Sequence, residues 1–339
     1  MSDRDARLRD ALARIQEEAS KALAAVGDDD ADSDDNGNHH GHGHDHGARI
    51  CTPKALPTHL QIDAARRAVE INPMNAPLMG PVDAVARNFI SDPLRIAVVT
   101  SKYWGAESQS LTVSFMESPS RGLRTKILEH MNAWGGSVRF EETGGTGQVR
   151  ITLQGDGYWS YLGTDILSIP EDEPTMSLQG FTESTRDSEF RRVVRHEAGH
   201  TLAFPHEHMR RALVDLIDPG KAYDYFRRTQ GWDRRMVDAQ VLTPLDERSL
   251  LSTPADQTSI MCYQLPGSIT RNGRPILGGP DINASDHAFV ARVYPLSRAD
   301  RADGACSDAG SNGAGYANRG AVAAAAAKGA HHEFELASA

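Results

Sequence analysis

Apolar and polar positions divide the chain into patterned and unpatterned stretches. Residues 3–26 set Leu8, Ala11, Leu12, Ile15 and Ala19 at helical spacing among charged neighbours, which predicts one amphipathic helix suited to docking or pairing. A second helix is expected over Thr58–Ile71 between proline-bearing loops. A third is expected over Arg121–Trp134, where Leu123, Ile127 and Met131 recur every four residues before a Gly-Gly stop. β-branched and aromatic residues predict strands at about 96–104 (IAVVTSKYW) and 111–117 (LTVSFME), then at SVRFEE and QVRITLQ. PTMSLQG, Pro174–Gly180, reads as a short edge strand. Helical spacing returns over about Asp187–Ala203, with Phe190, Val193, Val194 and Leu202 on the apolar face and a loose capping box over Ser184–Asp187. It recurs in GKAYDYFRRTQ, WDRRMVDAQVL and SDHAFVARVYP.

The unpatterned stretches carry most of the charge imbalance. The run DDDADSDD, Asp28–Asp35, holds six acids of a chain whose formal charge is −10, and it reads as a solvated linker. NHHGHGHDHG follows, with five histidines between His39 and His46; it is a polar linker or a collector of metal ions. From about residue 296 the chain turns Asp-, Gly- and Ala-rich and is expected to be a disordered tail. No basic stripe points to nucleic acid, and no apolar run approaches the roughly 20 residues that cross a bilayer. Three cysteines, Cys51, Cys262 and Cys306, make neither a disulfide framework nor a Cys-x-x-Cys metal pair. The start lacks a secretory signal, so a cytoplasmic protein is the default expectation, with export by another route left open.

One stretch carries chemistry: HEAGHTLAFPHEHMR, His196–Arg210. His196 and His200 share one helical face, where two imidazoles can reach one zinc ion. Glu197 is rotated about 100° from His196, which suits a water-activating base beside the metal. Those five residues alone are equally compatible with a histidine-rich helix face. His206 lies too far along to share that face, but it becomes a third ligand if the helix ends near Ala203 and the chain turns back. Three protein ligands would leave a position for water, the mark of a catalytic zinc.

HEAGHTLAFPH resembles the HExxHxxGxxH motif of the metzincin zinc peptidases, and the continuation HEHMR resembles the astacin branch. A second block, DQTSIMCY (Asp256–Tyr263), resembles the methionine turn of astacins, and weaker likeness extends over about residues 96–295. The resemblance implies an α+β, two-subdomain fold with a twisted mixed β-sheet, an active-site helix and a methionine turn. The implied organisation is an N-terminal helix and linker over 1–47, a pro-segment-like leader over 48–95, and a catalytic domain over 96–295. That domain would divide into upper (96–206) and lower (207–295) subdomains, with the tail over 296–339. His196, His200 and His206 would hold one catalytic Zn2+, Glu197 would be general base and then acid, and Met261 would form an apolar floor. Tyr263 would bind the metal at rest and hydrogen-bond the oxyanion during turnover. The implied activity is hydrolysis of protein or peptide substrates. PTMSLQG would then pair with extended substrate.

The match has departures. Ala203 stands where the motif has glycine, at about 1 kcal/mol of backbone strain. Cys262 replaces a usual histidine, and the disulfides of animal astacins are absent, so the likeness is to a bare, bacterial type. In astacins the residue at Glu207 helps to anchor the matured N-terminus. Metzincins are often held latent by a ligand from the N-terminal segment, and Cys51 (RICTPKALP) is placed to be that ligand or an idle buried thiol. The alternative to a peptidase is a catalytically weak metal- or peptide-binding homologue, against which the intact Glu197 argues. A metal-storage protein would leave the methionine turn unexplained.

Overall fold

The computed structural model describes residues 51, 54–76, 100–245 and 254–296. The expected helix over 3–26, the histidine tract, Cys306 and the tail beyond Leu296 lie outside them. Five strands form one mixed sheet: β1 (Gln109–Phe115), β2 (Val138–Glu142), β3 (Val149–Thr152), β4 (Tyr158–Ser160) and β5 (Met176–Leu178), in the order β2-β1-β3-β5-β4. All pairings are parallel except that of β4 with β5, in which Trp159 faces Ser177. β2 alternates buried Val138 and Phe140 with exposed Arg139 and Glu141, as a strand with one solvated face must. Every residue of β3 and β5 is buried, the signature of strands covered on both faces.

Two expectations about strands fail for identifiable reasons. PTMSLQG does not form an edge: β5 sits between β3 and β4, and β4, too short to show a period, is the outer strand. Residues 100–104 are irregular, and at Tyr103 and Trp104 side chains take bonds a neighbouring strand would have used. Asn75 binds both backbone groups of Tyr103, and the Trp104 N–H donates to the Tyr294 hydroxyl. Residues 96–99 are outside the described set.

Helix α1 (Thr58–Ile71) keeps the expected bounds, and α2 (Arg121–Met131) is capped by Ser120 and continued by a 3-10 turn, Asn132–Trp134. The central helix is continuous but mixed. A turn at Asp187–Glu189 leads into a π-helical stretch, Phe190–Val194, and then into α3 (Arg195–Thr201). No side chain caps its start; the predicted box is replaced by ion pairs of Asp187 with Arg191 and Lys126. Its far end is held by aromatic donors. Trp104 Nε1 binds the Thr201 carbonyl at 2.7 Å and the Tyr294 hydroxyl binds that of Leu202 at 2.8 Å. The last carbonyls of a helix lack internal partners, so these bonds fix where α3 stops.

Beyond α3 come α4 (Pro219–Gln230) and α5 (Ala284–Val293). Two hydrophobic cores result. The larger joins the sheet, α2 and α3 through residues such as Ile127, Ile151, Phe190 and Val194, and it includes Met261. The smaller gathers Ile217, Phe226, Val241 and Leu265 with Cys51, Cys262 and Tyr263. The boundary between the two cores is where the histidines lie.

Candidate metal centre

His196 and His200 project from one face of α3, as their spacing requires. The chain then reverses: Ala203 adopts φ 69°, and the N–H groups of Ala203 and Phe204 bond back to His200 and Gly199. That reversal returns His206 to the other two. His196 Nε2 and His206 Nε2 lie 3.1 Å apart, and His200 Nε2 and His206 Nε2 3.0 Å. Cys51 Sγ completes the group, 3.5 Å from His200 Nε2, with one ligand atom from each of the four residues inside a 4.8 Å cluster.

The hydrogen-bond pattern tests whether a cation fits. A carbonyl only accepts, so the 2.7 Å contact of His196 Nδ1 with Ile260 O and the 2.8 Å contact of His200 Nδ1 with Phe204 O put the protons on Nδ1. The Nε2 lone pairs of both rings then point at one place. Burial pushes the His196 imidazole down to about 4, against the Ile260 bond, and lowers His200 and His206 well below their usual range. The three rings therefore stay neutral, the form that ligates metal. One proton at His206 Nε2 cannot satisfy two converging acceptors, whereas a divalent cation satisfies all three. Three imidazoles and a thiol are the donor set of zinc.

Glu197 is fully buried beside this cluster. Burial pushes its carboxyl up to about 8, although the Cys51 thiol donates to Oε2 at 3.3 Å and Arg192 works the other way. Burial, and then the Glu197 charge, push the Cys51 thiol well up; a cation held by the three imidazoles would act in the opposite direction. Among the described residues, Glu197 Oε1, His206 Nδ1 and the Tyr263 hydroxyl are buried with no hydrogen-bond partner. Such groups are costly to bury, and a cluster of them beside three imidazoles marks a place where an ion, water or substrate would supply the missing partners.

The methionine turn lies directly beneath. Ile260 offers its carbonyl to His196 and its N–H to Asp286, which also accepts from the Ser259 hydroxyl at 2.6 Å. The N–H of Glu207 donates to Met261 O at 2.9 Å, and Glu207 Oε1 accepts the N–H of Asp256, tying the third histidine to the same turn. A Cβ on Gly199 would stand 2.5 Å from Met261 Sδ and 2.7 Å from Trp134. The glycine inside HEAGH is thus what lets the thioether approach α3.

All the residues singled out from the sequence, Glu197, Tyr263, Met261, Cys51 and the three histidines, meet here. Others were passed over. His208, two residues past the third histidine, is fully buried, bonds Gln240 O, and stacks on Tyr263 with ring centres 4.0 Å apart and planes at 14°. Tyr263 thereby packs against both His206 and His208, whose own rings lie 5.1 Å apart. Arg192, one turn before His196, lines a cavity of about 340 Å3 with Cys51, Tyr158, Glu197, Tyr263 and Leu277. A second cavity, about 310 Å3, reaches His200 and His206 and is walled by Lys54–Leu56. Only the four-residue offset of Arg192 from His196 was available to sequence reasoning.

Cys51 reaches this centre, and Lys54 pairs at the end of the outer strand. Lys54 N donates to Ser160 O at 3.4 Å in a parallel bridge with Tyr161, and Lys54 Nζ sits 4.4 Å over the Trp159 ring.

No family model and no curated protein matches the chain. Among solved structures it is similar to myroilysin, with 33% identity and a TM-score of 0.55, covering 59% of this chain and 98% of that one. A crystal structure of myroilysin aligns at 28% identity and a TM-score of 0.43, covering 65% and 100%. High choriolytic enzyme 1, a hatching enzyme zinc-protease from Oryzias latipes (medaka fish), aligns at 17% identity and a TM-score of 0.39, covering 57% and 96%. The likeness that bears on kinship is the 33% identity across nearly all of the first chain.

Proposed function

Because the chain belongs to the astacin-like metzincin peptidases, we propose that it is a zinc-dependent endopeptidase whose general base is Glu197. The observation that carries this reading is the convergence of three neutral imidazoles beside a buried, partly unpartnered carboxyl. When bound, zinc supplies Lewis acidity to water and to the scissile carbonyl. His196, His200 and His206 hold it, with two of the rings locked in tautomer by Ile260 O and Phe204 O. Such outer bonds orient ligands and raise their basicity.

Glu197 takes the proton of the attacking water and returns it to the departing nitrogen. Burial raises its affinity for a proton and a bound cation would lower it again, a balance that suits a group that must both take and return one. Tyr263, its hydroxyl otherwise unpartnered, donates to the oxyanion as charge develops there. Met261 closes the floor of the site.

Cys51 is the latency ligand on this reading. Its sulfur would be the further ligand beside the three histidines, since it lies 3.5 Å from His200 Nε2, and its thiol donates to Glu197 Oε2. While the thiol stays, neither water nor base is available to substrate.

The experiment compares zinc content and casein hydrolysis of the full chain, of Cys51→Ala, and of Cys51→Ala combined with Glu197→Ala. Cys51→Ala should raise hydrolysis; adding Glu197→Ala should keep the zinc and cut the rate by roughly 10²–10⁴-fold. A double variant that cleaves as fast as Cys51→Ala would remove Glu197 from the mechanism. A full chain that takes up no zinc would remove the peptidase reading itself.

A further inference from the structure

His208 takes no part in the chemistry proposed for Glu197 and Tyr263, yet it is packed directly against one of them. It follows the third histidine by two positions, in the 3-10 turn Glu207–Met209, and is fully buried. Its ring lies against the Tyr263 ring with centres 4.0 Å apart and planes at 14°. His206 also touches Tyr263, but in a tilted contact at 52°. The phenol therefore meets His208 face to face and His206 at a slant.

The plane of the His208 ring is fixed. A carbonyl only accepts, so the 2.8 Å contact of His208 Nε2 with Gln240 O places a proton on Nε2 and sets the ring's orientation. Gln240 belongs to the π-helical stretch Asp238–Leu242, which Val241 seats in the smaller core. The Leu245 N–H returns from beyond that stretch to Met209 O at 2.9 Å. His208 Nδ1 has no hydrogen-bond partner among the described residues. As a filler of space this imidazole is a poorer choice than a phenyl ring, because an unpaired buried nitrogen is costly. What it adds is a flat surface whose plane a hydrogen bond holds. Nearly parallel rings keep their dispersion contact while one shifts within its own plane, whereas a tilted pair separates or collides. Tyr263 can thus move over His208 without opening a gap, and its unpartnered hydroxyl is the end that such a shift carries.

We propose that His208 is a positioning residue for Tyr263: its plane-locked imidazole is the surface along which the phenol slides to bring its hydroxyl to the oxyanion. The proton donor is Tyr263, and His208 acts through it. The proposal rests on the peptidase reading and on the part given there to Tyr263. Because the contact decides where the hydroxyl stands and not how substrate binds, its loss lowers kcat and spares KM. The contact has no kinetic value once the hydroxyl is gone, which separates positioning from general support of the fold.

The test uses the zinc-loaded full chain carrying Cys51→Ala, so that Cys51 does not limit the rate. His208→Leu, His208→Gln and His208→Phe are each added with and without Tyr263→Phe, and kcat, KM and zinc content are measured on a peptide for every variant whose Tm shows it folded. His208→Leu and His208→Gln lack a flat ring and should lower kcat roughly three- to tenfold, the worth of one aromatic pair, with KM within about twofold. His208→Phe restores a flat ring and should stay within about twofold of the background. Tyr263→Phe alone should slow the chain by roughly 10²–10³-fold, and in that chain the His208 substitutions should change kcat by less than about twofold. A second readout needs neither zinc nor activity. In the metal-free chain labelled with meta-fluorotyrosine, the fluorine resonance lost in Tyr263→Phe identifies Tyr263 among the eight tyrosines. His208→Leu should move that resonance, and His208→Phe should bring it back toward its original position. Equal losses of kcat with and without the Tyr263 hydroxyl overturn the proposal, as does His208→Phe no faster than His208→Leu. If Tyr263→Phe alone keeps the full rate, the role of Tyr263 fails and the proposal falls with it. A zinc-loaded background that cleaves nothing sinks the peptidase reading instead, and a fluorine resonance unmoved by His208→Leu would show independently that His208 does not hold the ring.

Discussion

Gly199 and Ala203 stand on either side of His200, and each departs from ordinary helix chemistry because of what lies next to it. Glycine inside a helix usually gives up about 0.8–1 kcal/mol relative to alanine, so Gly199→Ala would ordinarily stabilise. Here the added carbon would meet Met261 Sδ at 2.5 Å and Trp134 at 2.7 Å, and Trp134 is fixed by its 2.6 Å bond to Arg195 O. Overpacking of this kind costs about 1–3 kcal/mol, so the expected outcome is a lower Tm; a rise in Tm would show that the close approach is unimportant. Ala203 has the opposite problem. Its φ of 69° is a glycine conformation, strained by roughly 1–2 kcal/mol for alanine. Ala203→Gly relieves that strain and forfeits a buried methyl worth about 0.8 kcal/mol, leaving a net stabilisation of about 0.5 kcal/mol. A melting curve of Ala203→Gly that shifts downward would contradict this account.

Among the elements, the methionine turn shows most plainly how distant parts of the chain fix one another. Asp256 accepts bonds from Thr258, Asn283 and Ser285, so it joins the turn to the start of α5. Burial raises its carboxyl, but those bonds outweigh burial and hold it at about 2. A depressed folded-state value means that the carboxylate stabilises the fold above about pH 4, a contribution lost as pH falls toward 2. Discounted for solvent, that contribution is about 1 kcal/mol. Metal-free Asp256→Asn should therefore lose less stability than wild type between pH 5 and pH 3, and parallel melting-temperature curves for the two would rule the carboxylate out. Much of this architecture was legible beforehand: α1 keeps its predicted bounds because amphipathic spacing is a local property, and HEAGH and SIMCY, ambiguous singly, gained meaning by resembling two blocks of one family in the right order. What escaped depends on long-range partners. β4 has three residues and no period, Tyr103 surrenders its backbone bonds to the Asn75 side chain, and the stacking of His208 on Tyr263 joins residues that no spacing rule connects.

For the molecule as a whole, the metal site is placed to act as a fastener between two cores. His196 and His200 rise from a helix seated in the larger core, while Cys51 and Tyr263 belong to the smaller one, with His206 at the return between them. A cation held there would resist separation of the two in addition to any chemistry it performs. No helix among the described residues is long and apolar enough to cross a membrane. A ligand that binds only the folded state stabilises it by about 4 kcal/mol when present at roughly a thousand times its dissociation constant. For a domain of 150–250 residues that corresponds to a rise in Tm of about 10 °C. Saturating zinc should therefore raise the Tm of the chelator-treated chain by about this amount, and removing the ion again should reverse it. His206→Ala should abolish most of the response while leaving the metal-free Tm within a few degrees of wild type. If zinc leaves the unfolding temperature of wild type unchanged, the ion does not join the two cores, whatever part it plays in catalysis.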